Sequence, residues 1–177
     1  MSTPLRPNVA APAAQGKLFL VFRVGDQRFA LAATDIGEVL PCVPLKPVPQ
    51  APAWVAGIFS HRGRVVPVID VGQLMFGVPA SQRTSTRLVL VHYAAGAMQG
   101  DQRLGLILEH ATQTLRCPAQ DFRPYGVSNR EAPYLGPVRE DEQGLLQWVG
   151  VQDLLDERVR ERLFAPQLAE QFMDGEG

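Results

Sequence analysis

The chain has 177 residues, 46% of them hydrophobic, and its 17 lysines and arginines nearly balance 18 aspartates and glutamates. This size suits one globular unit, and the balanced charge excludes the basic surface expected for nucleic-acid or acidic-lipid binding. No run of 18 or more apolar residues predicts a membrane-spanning helix. The two cysteines form no C-x-x-C pair, so neither a disulfide framework nor a thiolate metal site is predicted.

The first 16 residues are rich in alanine and proline and lack the apolar stretch of a signal peptide. We expect residues 1–16 to be a disordered tail. Together with cysteines outside any disulfide pattern, this predicts a cytoplasmic protein.

The first ordered element is predicted to be a β-hairpin. Leu18 to Val24 favours a strand, Gly25 and Asp26 form a turn signal, and Arg28 to Leu31 favours a second strand. The next segment allows two interpretations, a capped helical turn in which Ile36, Val39 and Leu40 share a face, or a kinked strand that ends at Pro41.

A proline-rich stretch at residues 44–52 predicts a surface connection, since proline lacks a backbone donor. A second hairpin is predicted where the strands 55–59 and 65–69 flank a charged turn, and Pro67 places its strand near an edge or a bulge. Further short strands follow at residues 88–93, 103–108, 135–138 and 145–149. Short strands with little helical periodicity before Gln152 predict an all-β fold, a barrel or a sandwich.

The chain also shows a weak internal repeat. Arg28 aligns with Arg103 and Cys42 with Cys117 at an offset of 75 residues, and Ile69 aligns with Val149 at an offset of 80. Two related β lobes are therefore expected.

Signatures of catalysis are absent from the sequence. The histidines His61, His92 and His110 have no metal-ligand spacing, and no serine elbow, P-loop or dinucleotide fingerprint is present. We interpret His61 as an exposed turn residue and Asp70 as a helix cap. Both cysteines are expected to be small buried hydrophobes. The sequence predicts a protein that is not an enzyme and holds no cofactor or metal.

Several short segments occur in a characteristic order. They are residues 19–22, Gly25-Asp26, Phe29, residues 38–40, 55–58, Arg62-Gly63, 65–70, 86–89 and Gly105-Leu106. This order resembles the CheW-like domain, over about residues 17–155. The resemblance implies two five-stranded SH3-like β-barrel lobes that share a hydrophobic core, with short helices. It also implies an adaptor that couples the cytoplasmic tip of chemoreceptors to the regulatory domain of a CheA-type histidine kinase, beside membrane-bound receptor arrays.

The resemblance further implies two binding surfaces. The receptor-facing residues would be Ile36, Glu38, Val39 and Arg62, with Ala111 and Thr114 opposite from the second lobe. The kinase-facing residues would be Gly57, Gly63 and Thr86. For Arg62 the alternatives are a partner contact, a solvated turn charge or an ion pair with Glu38.

Departures from the family pattern bear on partner choice. Ser60-His61 stands where Asn-Leu is usual, and Gly150 stands where an acidic residue is expected. Residues 156–177 add a predicted C-terminal helix and tail, because Leu155, Val159 and Leu163 share a helical face. These features suit an adaptor of a Wsp-type surface-sensing cluster with cyclic-di-GMP output. The alternative is a regulatory or small-ligand-binding β-barrel module that acts outside a receptor array.

Overall fold

The computed structural model describes residues 16–94, 102–125 and 130–164. Residues 1–15 of the predicted N-terminal tail and 165–177 of the predicted C-terminal tail lie outside these ranges. In the described part, nine strands and two short helices follow one another. They are β1 (Lys17–Val24), β2 (Gln27–Ala32), β3 (Ile36–Pro41), β4 (Val55–His61), β5 (Arg64–Asp70), α1 (Val71–Phe76), β6 (Arg87–Tyr93), β7 (Gln102–Cys117), β8 (Leu135–Asp141), β9 (Gly144–Val149) and α2 (Glu157–Leu163).

The strands form two five-stranded sheets that share the long strand β7. The β1 lobe has the order β7-β1-β2-β9-β8 and uses the second half of β7. The β6 lobe has the order β3-β6-β7-β5-β4 and uses the first half of β7. The strand turns between the lobes at His110, which has a positive φ of 51°. The expected all-β fold with two lobes of five strands is confirmed.

Each sheet is closed into a barrel by the segment that follows one of its edge strands. After β3, Lys46 exchanges two backbone hydrogen bonds of 2.8 Å with Ile58 in β4, the opposite edge. After β7, Arg123 exchanges bonds of 2.8 and 2.9 Å with Val138 in β8. Closure satisfies edge groups that would otherwise face water or another chain. The proline-rich connection therefore completes a barrel as well as crossing the surface.

The two sequence repeats are real, but they do not coincide with the two lobes. Ala30 of β2 pairs with Trp148 of β9, and Gly105 of β7 pairs with Val68 of β5. These pairs correspond at the offsets 75 (105 − 30) and 80 (148 − 68) seen in the sequence. Each lobe combines the opening hairpin of one repeat with the three later strands of the other, so the two repeats are intertwined.

Three apolar clusters stabilise this arrangement. The largest lies between the lobes and includes Phe22, Phe29, Ile69, Leu106 and Leu154. A smaller cluster fills each barrel. Burial of apolar surface contributes roughly 25 cal/mol per Å² to the free energy of folding. The cluster between the lobes therefore stabilises both lobes and holds them in one relative position.

The segment that ends at Pro41 is a strand, which confirms the second of the two interpretations of the sequence. A 3-10 turn at Ala33–Asp35 precedes it, and its register with β6 shifts between Ile36 and Glu38, which gives the expected kink. Asp70 caps α1 by accepting a hydrogen bond of 3.1 Å from the Gln73 amide, as predicted. Pro67 precedes Val68, the first residue of β5 that pairs with β7. Proline has no backbone N–H, and the residue that lacks this donor lies where the pairing with β7 begins.

The prediction that both cysteines are buried is confirmed for Cys117 and wrong for Cys42. Cys117 is buried in the β1 lobe, whereas Cys42 is exposed, because it follows the end of β3 at the start of the proline-rich connection. Trp148 is only half-buried, but it packs edge-on against Phe19 and Phe122 with ring centroids 5.0 and 5.3 Å apart. No helix in the described ranges is long and apolar enough to span a membrane.

Candidate functional site

The turn between β4 and β5 presents a charged side chain to solvent. Arg62 and Gly63 have positive φ angles of 51° and 77°, as the two central residues of a type I′ hairpin turn require. Glycine adopts this conformation without steric cost. The Arg62 side chain is 77% exposed, so the turn holds the guanidinium away from the barrel surface.

Glu38 joins this turn to the edge strand β3. Its Oε1 accepts a hydrogen bond of 3.2 Å from Arg62, and its Oε2 lies 2.9 Å from Nε2 of His61. His61 is half-buried and packs beside Phe59, so the interpretation of His61 as an exposed residue is wrong. Its ring contacts the Glu38 carboxylate. This contact could not be predicted from the sequence, because residues 38 and 61 lie far apart in the chain.

The apolar part of the predicted receptor surface lies along β3. Val39 is 46% exposed, whereas Ile36 is half-buried against the cluster between the lobes. Glu38 and Val39 are neighbours on β3, so their side chains leave opposite faces of the strand. Val39 exposes apolar area on one face, and the Glu38–His61–Arg62 group presents charge on the other. We call Glu38, His61 and Arg62 the Glu38 patch.

The two predicted residues on β7 lie in the other lobe. Ala111 is buried, and its amide donates a hydrogen bond of 3.2 Å to the Ser85 carbonyl. Thr114 is exposed and pairs with Leu20 of β1. A buried methyl group has little surface for a partner, so Ala111 does not fit the role of a receptor contact in the free protein.

The three predicted kinase-facing residues have clear structural roles. Gly57 has a φ of 147°, and a Cβ there would lie 2.6 Å from the Lys46 carbonyl oxygen that closes the barrel. Gly63 belongs to the same turn as Arg62. Thr86 is buried, and its hydroxyl donates a hydrogen bond of 2.6 Å to the Ser81 carbonyl. The two glycines permit the local backbone conformation, and the Thr86 hydroxyl holds a loop in place. Gly63 and Arg62 share one turn, so the predicted kinase and receptor surfaces meet at the β4–β5 turn.

A groove that the sequence did not indicate lies next to this turn. It has a volume of about 650 Å³ and runs between the chain that leaves β3 and strand β4. Its apolar lining includes Leu40, Val43, Leu45 and Phe59. Apolar residues do alternate with the prolines of the connection in the sequence. Only the fold shows that these residues face strand β4 and form a groove with it.

Nucleophilic and metal-binding groups do not converge in the described residues. No group of three or more histidine, cysteine, aspartate or glutamate side chains there could hold a metal ion. Burial raises the pKa of the Cys42 thiol, with the Arg87 charge opposing it, so the exposed cysteine is not an activated nucleophile. The features that this region presents are an exposed arginine and an apolar groove.

Comparisons with known proteins agree with this geometry. The profile of the CheW-like domain matches residues 18–159. The chain is 29% identical over 109 residues to the chemotaxis protein CheW of Rhizobium meliloti, covering 62% of this chain and 66% of that protein. It is 30% identical over 116 residues to the protein FrzA of Myxococcus xanthus, covering 66% of this chain and 69% of that protein. The matched region thus spans about two thirds of these relatives' length.

The fold is also that of a solved structure. The crystal structure of a scaffolding protein, CheW of Thermoanaerobacter tengcongensis, superposes with a TM-score of 0.70 at 18% identity. The superposition covers 90% of this chain and 96% of that chain. With the profile match over most of its length, the chain belongs to the CheW-like domain family.

Proposed function

We propose that this protein is a non-catalytic adaptor that couples chemoreceptors to a CheA-type histidine kinase in chemosensory signalling. Membership of the CheW-like family supports an adaptor role in chemotaxis. The single observation that carries the proposal further is the Glu38 patch, in which an exposed arginine is held at the barrel edge by its bond to a glutamate of β3. We place the protein in the cytoplasm beside membrane-bound receptors, and its assignment to a Wsp-type cluster stays a prediction.

The Glu38 patch suits a helical receptor tip. The Arg62 guanidinium has five donors in a planar fork and can bond carbonyl or carboxylate oxygens at a helix surface. Its bond to Glu38 orients the fork, and an exposed ion pair of this kind contributes only about 0–1 kcal/mol to stability. Binding can therefore rearrange the pair at little cost.

The groove of about 650 Å³ is the better candidate for the kinase regulatory domain. Its lining is mostly apolar, which suits a protein partner, and it begins at His61, which also belongs to the Glu38 patch. Gly57 and Gly63 act on this surface through the backbone. The proposed kinase contacts are therefore Val43 and Leu45, which are half-buried.

The test is a pair of titrations with purified partners. Arg62→Ala is expected to weaken binding to a receptor cytoplasmic fragment by about 2 kcal/mol, roughly thirtyfold. Its affinity for the kinase regulatory domain and its free energy of unfolding should change by less than about 0.5 kcal/mol. Arg158→Ala, an exposed arginine on α2, is the matched control and should change neither.

Leu45→Ser tests the second surface in the same way and should weaken kinase binding while receptor binding persists. Unaltered receptor affinity in Arg62→Ala, together with a lowered melting temperature, would instead make Arg62 a structural partner of Glu38. Turnover of a nucleotide or ester that one substitution abolishes would refute the non-catalytic role.

A further inference from the structure

Glu38 has two partners in the described part of the chain, and they reach different atoms of its carboxylate. Its Oε1 accepts a hydrogen bond of 3.2 Å from Arg62, whereas its Oε2 lies 2.9 Å from Nε2 of His61. An ionised carboxylate can only accept hydrogen bonds, so Nε2 of His61 carries the hydrogen and donates it. One carboxylate therefore pairs with both side chains at once.

The fold holds the His61 ring in place. His61 is the last residue of β4, and it pairs with Arg64 of β5. The centroid of its ring lies 5.8 Å from that of Phe59, whose side chain belongs to the apolar cluster that fills the β6 lobe. Only 22% of the His61 side chain is exposed. The donor at Nε2 is therefore a fixed feature of the barrel edge.

Arg62 is held less firmly than His61. It lies in the turn, its side chain is 77% exposed, and its bond to Glu38 is the longer of the two. An exposed ion pair of this kind is weak, because water competes for both charges and the long side chains lose conformational freedom when they pair. Of the two partners, Arg62 is therefore the one that can leave Glu38.

Release of Arg62 costs little only if Glu38 keeps another partner. The Glu38 side chain is 31% exposed, so water alone would solvate its carboxylate incompletely. A polar group that is left unpaired away from water is costly, whereas one that keeps a donor is not. His61 supplies that donor when Arg62 turns outward.

His61 also limits how tightly the resting pair can form. While Oε2 is occupied by His61, Arg62 has only Oε1 to bond. Without the histidine, both oxygens would be open to the guanidinium, and a bidentate pair is stronger than a single bond. Both effects of His61 act in the same direction, since each makes the arginine easier to release.

We propose that His61 is a positioning residue for receptor binding. It retains the Glu38 carboxylate on β3, and it thereby lets the Arg62 guanidinium leave that carboxylate for an acceptor on the receptor tip. His61 acts through Glu38 and makes no receptor contact of its own. This role rests on the proposed function, because it concerns the same exposed arginine.

The experiment is a double-mutant cycle of His61→Leu and Arg62→Ala, in which the full-length protein is titrated with a receptor cytoplasmic fragment. His61→Leu removes the donor and should weaken binding about fivefold, a moderate effect because water still reaches part of Glu38. In the Arg62→Ala background the same substitution should change the affinity by less than about twofold, since no pair then has to open.

Two further variants control the cycle. Ser60→Ala changes the neighbouring exposed residue, which points to the opposite face of β4, and it should leave receptor affinity unchanged. His61→Ala removes the same ring and should repeat the effect of His61→Leu. Circular dichroism checks the fold of each variant, and His61→Ala decides the result if leucine disturbs the fold.

A second measurement needs no partner. In the free ¹⁵N-labelled protein, exchange of the Arg62 guanidinium hydrogens with water should be at least about twofold slower in His61→Leu than in the wild type, because the arginine then pairs with both oxygens of Glu38. Equal or faster exchange in the variant would contradict the sharing of Glu38.

An equal loss of receptor affinity in the wild-type and Arg62→Ala backgrounds would overturn the proposal, because His61 would then contact the receptor itself or act on the fold. Unchanged affinity in His61→Leu would overturn it as well. If the wild-type protein does not bind the fragment, the proposed function fails, and the exchange measurement alone decides whether His61 weakens the pair between Glu38 and Arg62.

Discussion

Arg28 of β2 donates two hydrogen bonds, of 2.8 and 3.1 Å, to the carboxylate of Asp141 at the end of β8. These residues come from different repeats, and the pair ties the opening hairpin to the strands that complete its lobe. Arg28 is nearly buried, at 8% exposure. Removing one member of a buried pair leaves the other charge uncompensated.

Asp141→Ala is therefore expected to lower the free energy of unfolding by about 3 kcal/mol. The hydrogen bonds from Arg28 hold the pKa of Asp141 below its usual value, with burial opposing them. A lowered folded-state pKa means that the stabilisation is complete above the unfolded-state pKa of about 3.9 and is lost as pH falls through the folded-state value. Urea titrations from pH 7 to pH 3 should show a constant difference between wild type and variant that shrinks below about pH 4. Glu142→Ala, the exposed neighbour, should show no difference; a difference that grows on acidification would contradict the assignment.

The two glycines at the β4–β5 hairpin should differ in their tolerance of alanine. Gly57→Ala adds a Cβ 2.6 Å from the Lys46 carbonyl oxygen and disturbs barrel closure, so we expect a loss of about 2 kcal/mol or more. Gly63→Ala meets nothing within 4 Å and should cost about 1 kcal/mol through its left-handed backbone alone. Urea unfolding of the two variants measures this difference. If both cost the same, the contact between residue 57 and Lys46 does not limit stability.

Trp148→Ala should destabilise the protein by about 3 kcal/mol, because it removes a ring that packs edge-on against both Phe19 and Phe122 and leaves a cavity there. The matched control is Leu145→Ala on the same strand, which is exposed and should change stability by less than about 0.5 kcal/mol. Thermal and urea unfolding report both values. A cost below 1 kcal/mol for Trp148→Ala would indicate that the aromatic cluster collapses around the gap.

The two thiols should react with Ellman's reagent in separate phases. Cys42 is exposed and should react in the folded protein, although slowly, since burial still raises its thiol pKa. Cys117 is buried in the β1 lobe and should react only after unfolding in urea. Labelling of Cys42→Ser under native conditions measures this directly. Rapid reaction of that variant would show that the β1 lobe opens readily.

Local features of this fold could be predicted from the sequence because their causes are local. The Gly25-Asp26 turn, the Asp70 cap and the Arg62-Gly63 turn each depend on the backbone preferences of a few neighbouring residues. The internal repeat was also visible in the sequence, because the corresponding strands keep similar residues at fixed offsets.

The pairing of strands across the repeats could not be predicted in the same way. Antiparallel and parallel partners far apart in sequence are selected by which apolar faces meet, and many pairings satisfy the same alternation. The bond between His61 and Glu38 and the burial of Ala111 and Thr86 follow from those pairings. The turn and the edge strand of the candidate site could therefore be predicted as local elements, while the contacts within the site required the structure.

The exchange of hairpins between the repeats limits how this chain can be divided. A fragment ending after β5 would contain three strands of one barrel and two of the other, and neither set buries its apolar face. Two such halves would become stable only by assembling with each other, as two subunits do. The architecture of the single chain thus resembles that of an intertwined dimer whose two subunits are joined end to end.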